Sequence, residues 1–293
     1  MIRPHSSIPQ VWEISPDGSF RGPFVGILGA LHGNEIAGLR ALERCRSDAE
    51  AFAQRMRQGT LVLIHGNPRA TAEGRRHSRG GVDINRLFAY RWVEELAPEA
   101  WSYEHHRALE LRPLITGLDA MLDLHSASQP TVPFAICDGR PEGIALSRKT
   151  GCRVTHGWDG PGMLMQDVSI GALVSRGRPA ISVECGQHDA PASIEVAERV
   201  LERFLGGLGL TDHEVEDSTG PSFRLFGRVV KPTLDFTLAR DFASFDRLAP
   251  GQLLGSGDGV SIHADREAYL LLPTPSAQRG DDIVYLAHAV LHS

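Results

Sequence analysis

Four residues of this 293-residue chain have types and spacings that could do chemistry together. His32 and Glu35 stand three apart in A-L-H-G-N-E, and imidazole and carboxylate are both good ligands for a borderline metal such as zinc. His125 follows the apolar run A-M-L-D-L, and Glu184 follows A-I-S-V. A catalytic zinc typically takes three protein ligands and keeps one position for water. His32, Glu35 and His125 meet that count, two of them close in sequence and the third distant. Glu184, just before Cys185-Gly186, is the candidate base, because a carboxylate near metal-activated water can take its proton and later pass it to a leaving nitrogen. Asp123 lies two residues before His125, so in a strand it points to the same side. There it could orient the imidazole by accepting its second N–H. An H-x-x-E pair alone is commonplace on polar surfaces; the reading rests on the other two positions.

Substrate contacts are expected from the polar, Gly/Arg-rich stretch His65 to Tyr90, since loops of that length are usually functional. Arg69, Arg75, Arg76, Arg79 and Arg86 are too many for one site, and most must be solvated. Asn85-Arg86, closing G-V-D-I-N-R, is the tighter pattern, because a planar guanidinium grips a carboxylate with two bonds.

These positions need elements to hold them. Phe24 to Leu28 reads as a buried strand that turns at His32 into a helical stripe, with Leu39, Leu42, Cys45, Ala49, Phe52 and Met56 at its apolar positions. Leu61–Ile64, Ala120–Leu124 and Ala180–Val183 are continuous apolar runs of the kind covered on both faces. Phe134–Cys137 and Cys152–Thr155 read as further strands. Helices are expected at about Ser102–Ile115, Pro141–Thr150, Ser169–Arg176 and Ser193–Leu205, the last with Ser193 as N-cap, and a loop at Gly157–Met163. Strands alternating with helices imply an α/β fold with a mostly parallel mixed sheet and helices on both faces. His32, Glu35, His125 and Glu184 then face the crevice at the carboxyl ends of the strands, where ligands bind. The composition shifts at Gly206–Gly220. We therefore read a catalytic domain over 1–208, a linker over about 209–220 and a small β-rich domain over 221–293. Its short runs are Arg228–Val230, Asp235–Ala239, Val260–His263 and Ala268–Leu272, with no long helix before the chain end.

A net charge of -6 gives no basic footprint, which disfavours nucleic acid as a partner. No apolar run approaches the roughly 18 residues of a membrane span, and MIRPHSSIPQVWEI has no signal core. The four scattered cysteines read as reduced thiols. A cytoplasmic protein is the expectation.

Taken together, His32-Gly33-Asn34-Glu35, Asn67-Pro68-Arg69, Asp83-Ile84-Asn85-Arg86, Asp123-Leu124-His125 and Val183-Glu184 occur in the order seen in the succinylglutamate desuccinylase/aspartoacylase family of the zinc-carboxypeptidase superfamily. The chain resembles that family over about residues 24–208 and more loosely beyond, and is most similar to its predicted-deacylase branch. The resemblance implies a zinc-dependent amidohydrolase with one Zn2+ per chain, removing the acyl group from a small N-acyl amino acid. It implies His32, Glu35 and His125 as metal ligands, Glu184 as general base and acid, and Asn85 and Arg86 on a substrate carboxylate. It further implies a carbonyl-polarising arginine at Arg79, with Arg76 and Arg69 as the alternatives for that role, a substrate-contacting tyrosine at Tyr269, and a C-terminal domain that helps cover the site. One departure stands out: a second carboxylate-binding arginine of the family falls on Val174, with Arg176 and Arg178 nearby. A neutral or basic substrate side chain is therefore expected over an acidic one. Three alternatives compete: a metallocarboxypeptidase cutting a small peptide, a non-enzymatic binding relative, and a dinucleotide site suggested by Gly26, Gly29 and Gly33. The last has the wrong spacing for G-x-G-x-x-G. A homo-oligomer is compatible with such a chain.

Overall fold

The computed structural model describes residues 1–160 and 165–291, so the loop read at Gly157–Met163 lies partly outside the described residues. The strands are β1 (Ile2–Pro4), β2 (Val11–Ile14), β3 (Phe24–Gly29), β4 (Thr60–His65), β5 (Ala120–Ala127), β6 (Phe134–Ile136), β7 (Arg153–His156), β8 (Ala180–Gln187) and β9 (Ser222–Val230). Then follow β10 (Thr237–Leu238), β11 (Arg247–Leu248), β12 (Leu253–Gly257), β13 (Val260–His263), β14 (Ala268–Leu271) and β15 (Asp282–Val290). The helices are α1 (Ile36–Ser47), α2 (Ala49–Arg55), α3 (Pro68–Ala72), α4 (Trp92–Glu95), α5 (Tyr103–Thr116), α6 (Pro141–Lys149), α7 (Ser169–Val174) and α8 (Pro191–Gly207).

The main sheet runs β1-β2-β4-β3-β5-β8-β6-β7-β9-β15-β14-β11, beside a small sheet β10-β12-β13. Its centre, β4-β3-β5-β8, is parallel, and β4 and β5 are buried along their whole length, as continuous apolar runs require. The two faces then divide the residues of β5 between them. Leu122 and Leu124 join a core with Ala37 and Leu42 of α1 and Val200 and Phe204 of α8. Met121 points the other way, into a core with Leu111 of α5 and Ile170 of α7, and by the two-residue period Asp123 and His125 share that second face. Helices thus cover both faces, as expected.

Several boundaries differ from the sequence reading. The helical stripe from Ile36 to Met56 is broken at Asp48, whose φ of -104° and ψ of 25° separate α1 from α2. Ser193 lies inside α8: Pro191 opens that helix, Ala190 is the N-cap, and the Ser193 hydroxyl donates back to the Ala190 carbonyl at 2.7 Å. After residue 221, β9, β15, β14 and β11 extend the same sheet, because β9 pairs in parallel with β7, and a third core of Phe236, Leu254, Leu270 and Ile283 fills this part. Among the described residues no helix is long and apolar enough to cross a membrane. All four cysteines are buried free thiols.

Glycines let β3 approach what it serves. A Cβ on Gly29 would sit 2.7 Å from the Gly38 carbonyl carbon in α1, and one on Gly33 would sit 2.1 Å from the Ala70 backbone. The glycines that hinted at a dinucleotide fingerprint are thus contact points between strand, turn and helix. Gly29→Ala should force β3 and α1 apart and cost about 2 kcal/mol or more, read as a lowered urea midpoint. A loss below about 0.5 kcal/mol, within the range of an innocuous substitution, would contradict this packing.

Candidate active site

The strand ends bring three side chains together. His32 lies in the turn after β3, Glu35 immediately precedes α1, and His125 is near the end of β5. Each offers a ligand atom, and these atoms all lie within 4.8 Å of one another. The Glu35 carboxylate bridges the two imidazoles, with His32 Nδ1 2.7 Å from Oε1 and His125 Nδ1 2.9 Å from Oε2. The opposite ring nitrogens are backed by carboxylates: His32 Nε2 is 3.0 Å from Asp83 Oδ1, and His125 Nε2 is 3.0 Å from Asp123 Oδ2. Asp123 is itself held by the Ser169 hydroxyl. Both Nδ1 atoms therefore converge on Glu35, in the arrangement by which second carboxylates orient metal-bound histidines.

The charges fit a cation. All three residues are buried. Burial alone pushes the Glu35 carboxyl up, yet the imidazoles of His32 and His125 hold it well below the usual range. Burial likewise opposes a charge on Asp83, and His32 with Arg76 still holds it well below. His125 would be pushed down by burial, but Asp123 and Glu35 keep it well above an ordinary histidine. A buried cluster whose carboxylates retain positive charge is suited to exchange protons for a divalent cation.

Glu184 stands beside this cluster, in register with His125 across the β5–β8 pair. Its Oε2 is fully buried and has no hydrogen-bond partner among the described residues. Burial pushes its carboxyl up to about 7, against the pull of His125. A buried acceptor left without a protein partner is costly, and the residue that carries it lines a cavity of about 780 Å³.

The arginine-rich segment is tied down by distant contacts. The Gly33 N–H donates to the Arg76 carbonyl at 3.2 Å. Farther on, the Ser78 N–H and the Asn67 amide donate to buried Glu104 at 2.8 and 3.2 Å. Arg76 thereby lines the cavity, donating to Asp83 Oδ2 at 2.8 Å with Nη1 3.6 Å from Glu35. Arg79, where the resemblance located the polarising arginine, is exposed and does not line the cavity. The chain turns outward after Ser78, and the Arg79 N–H is spent on Glu73 at 2.7 Å. Asn85 and Arg86 do line the cavity, in a 3-10 turn started by Asp83, which accepts from the Asn85 N–H at 2.9 Å. The Asn85 Oδ1 accepts from the Ser169 N–H at 2.9 Å, leaving its amide nitrogen as the free donor end.

Tyr269 is also displaced from the expected position: its ring packs against Phe223, with centroids 5.1 Å apart, and it is not part of the cavity wall. Tyr285 is, because it pairs opposite Leu271, whereas Tyr269 pairs opposite Ala287, two steps farther from the 272–281 loop that lines the cavity. Arg178 pairs with Asp119 at the opposite end of the sheet, 2.6 Å away, and neither it nor Arg176 lines the cavity. Of the three arginines considered for polarising the carbonyl, Arg76 is the one on the cavity wall. The sequence reading did not assign roles to Asp83, Tyr285 or the pair Ser126 and His188, whose Oγ and Nδ1 lie 2.9 Å apart on the cavity wall. Only Asp83 carried a legible signal, its place two residues before Asn85. Asp83→Ala should weaken divalent-cation binding about 10- to 100-fold, measured by calorimetry on protein stripped of metal. Unchanged affinity would remove Asp83 from the support of His32.

Comparison with known proteins adds a family and a fold. Residues 21–203 match the succinylglutamate desuccinylase/aspartoacylase catalytic domain. A curated relative, N-alpha-acetyl-L-2,4-diaminobutyric acid deacetylase of Halomonas elongata, is 25% identical over 219 residues, 70% of this chain. The match spans about 60% of that relative's length. Among solved structures, the product-bound ectoine utilization protein EutE (DoeB) of Ruegeria pomeroyi superposes with a TM-score of 0.72 at 19% identity, covering 94% of this chain and 88% of that one. A succinylglutamate desuccinylase of Vibrio parahaemolyticus gives 0.75 at 17%, covering 99% and 91%. These likenesses establish the fold.

Proposed function

The chain belongs to the succinylglutamate desuccinylase/aspartoacylase family, and from that premise we propose that it is a zinc-dependent deacylase that hydrolyses the amide of a small N-acyl amino acid. The observation that carries the reading is that Glu184, whose Oε2 is buried without a hydrogen-bond partner among the described residues, lines one cavity together with the His32–Glu35–His125 cluster. Two imidazoles and a carboxylate without thiolate suit zinc. When bound by three such ligands, zinc supplies an acidified water and a Lewis acid for a carbonyl oxygen.

The residues of the chain do the rest. Glu184 takes a proton from the attacking water and returns it to the nitrogen as the C–N bond breaks. A carboxyl whose burial lifts it to about 7 exchanges protons readily near neutral pH. Arg76, half-exposed to the cavity, donates to the carbonyl oxygen as negative charge develops there. Arg86 and the free amide end of Asn85 hold the substrate's α-carboxylate. The loop 272–281 and Ser244, contributed by the C-terminal part, cover the cavity. That cover favours a small amide over a long peptide, and so favours this reading over a carboxypeptidase.

The test pairs metal content with turnover on a panel of N-acetyl amino acids. Protein as purified should carry about one zinc per chain, and His125→Ala should lose it. Glu184→Gln should keep the metal and lose roughly 10²-fold or more in turnover; near-normal turnover would move the base elsewhere. Arg86→Lys, which cannot reproduce the two-pronged bond, should raise KM strongly for substrates with a free α-carboxylate and far less for their amides. Equal effects on both would remove Arg86 from carboxylate recognition.

A further inference from the structure

The cavity is chemically divided. Its rim is charged: Arg228 donates to Asp282 at 2.6 Å, Tyr285 donates to the other Asp282 oxygen at 2.7 Å, and Asp281 is exposed. Its inner wall is apolar. Ile136 on β6, Trp158, Met165, Val168 and Ile170 all line the cavity. Trp158, Met165 and Ile170 are among the buried residues of the core on that sheet face, with Ile136 and Val168 packed against them. Trp158 turns its one polar atom away, donating Nε1 to Thr155 Oγ1 at 3.0 Å. Two uncharged polar cavity residues adjoin this wall: Ser182 of β8, paired opposite Ile136 in the β6–β8 register, and Asn85.

From this division we propose that the inner wall is the side-chain subsite, and that it selects N-acyl amino acids with an uncharged aliphatic or aromatic side chain. The proposal rests on the deacylase reading above for which atoms bind where. The link is the Asn85–Ser169 hydrogen bond: the proposed carboxylate anchor is stitched to the backbone between Val168 and Ile170. The side chain on the same α-carbon as that carboxylate therefore meets this segment first. Among the described residues no charged side chain belongs to the wall, so a carboxylate or ammonium seated there would be desolvated without a partner, at a cost that outweighs any contact it makes. The rim charges are already paired or solvated and lie outside the wall. This sharpens the expectation from Val174: the sequence left neutral and basic side chains together, and the wall separates them.

The sharpest probe is an isosteric pair. N-acetyl-L-norvaline and N-acetyl-L-2,4-diaminobutyrate differ by a methyl against an ammonium at the same chain length. With Zn2+ added, kcat/KM should favour norvaline at least tenfold, and should rise about tenfold or more from N-acetyl-L-alanine to norvaline as methylenes are added. Calorimetry on Glu184→Gln protein with both compounds should show the same order in Kd. Val168→Asp should erase or reverse the preference in both assays. Equal or better binding of the diaminobutyrate compound to Glu184→Gln protein would overturn the subsite, and so would an alanine-to-norvaline series that is flat. If wild-type protein hydrolyses no N-acyl amino acid, the deacylase reading fails. The calorimetric order still decides the wall: preference for norvaline upholds it, and indifference ends it.

Discussion

The site depends on a buried carboxylate held between two imidazoles. Glu35 alone would resist ionisation in an interior position, because desolvation disfavours its charged form. His32 and His125 reverse that, at 2.7 and 2.9 Å, and each is in turn backed by an aspartate, Asp83 from a distant turn for His32 and Asp123 from the same strand for His125. The result is a compact array of alternating charges in which no member is comfortable without its neighbours. Such an array is expensive to build from side chains alone, since buried ion pairs repay their desolvation only with good geometry. A cation at its centre would justify the arrangement, and the unpartnered oxygen of Glu184 beside it has the same logic.

Much of the scaffold serves to bring these groups within reach. The parallel centre of the sheet delivers His32, His125 and Glu184 at adjacent strand ends, where an open α/β sheet presents its ligands. Close approach of β3 to α1 through Gly29 and Gly38 fixes the turn that carries His32 and Glu35. On the other side, Glu104 of α5 gathers Asn67 and Ser78, so that a segment with few regular elements still presents Arg76, Asp83, Asn85 and Arg86 to one cavity.

How much of this was legible in the sequence follows from the range of the interactions involved. His125 and Glu184 could be found because each directly follows an apolar run, and strand ends are local features. The fold class was readable for the same reason: buried parallel strands and amphipathic helices announce themselves in short windows. Arg76 could not be told from Arg79 and Arg69, and Tyr285 could not be found. Arg76 is selected by a hydrogen bond from Gly33, 43 residues earlier in number, and by the outward turn that Glu104 imposes after Ser78. Tyr285 is selected over Tyr269 by a strand register, two pairs along the β14–β15 ribbon, and a register is not encoded in either residue's neighbourhood. The break at Asp48 and the start of α8 at Pro191 moved helix ends without moving any site residue.

The central claim is that two imidazoles and one carboxylate hold zinc next to Glu184, and the zinc-edge X-ray absorption spectrum of the purified protein tests it most directly. The account predicts about one zinc per chain in a shell of nitrogen and oxygen alone, with imidazole scattering from two histidines and distances of about 2.0–2.2 Å. A sulfur shell near about 2.3 Å, or a protein that retains no zinc under conditions where it stays folded, would contradict it.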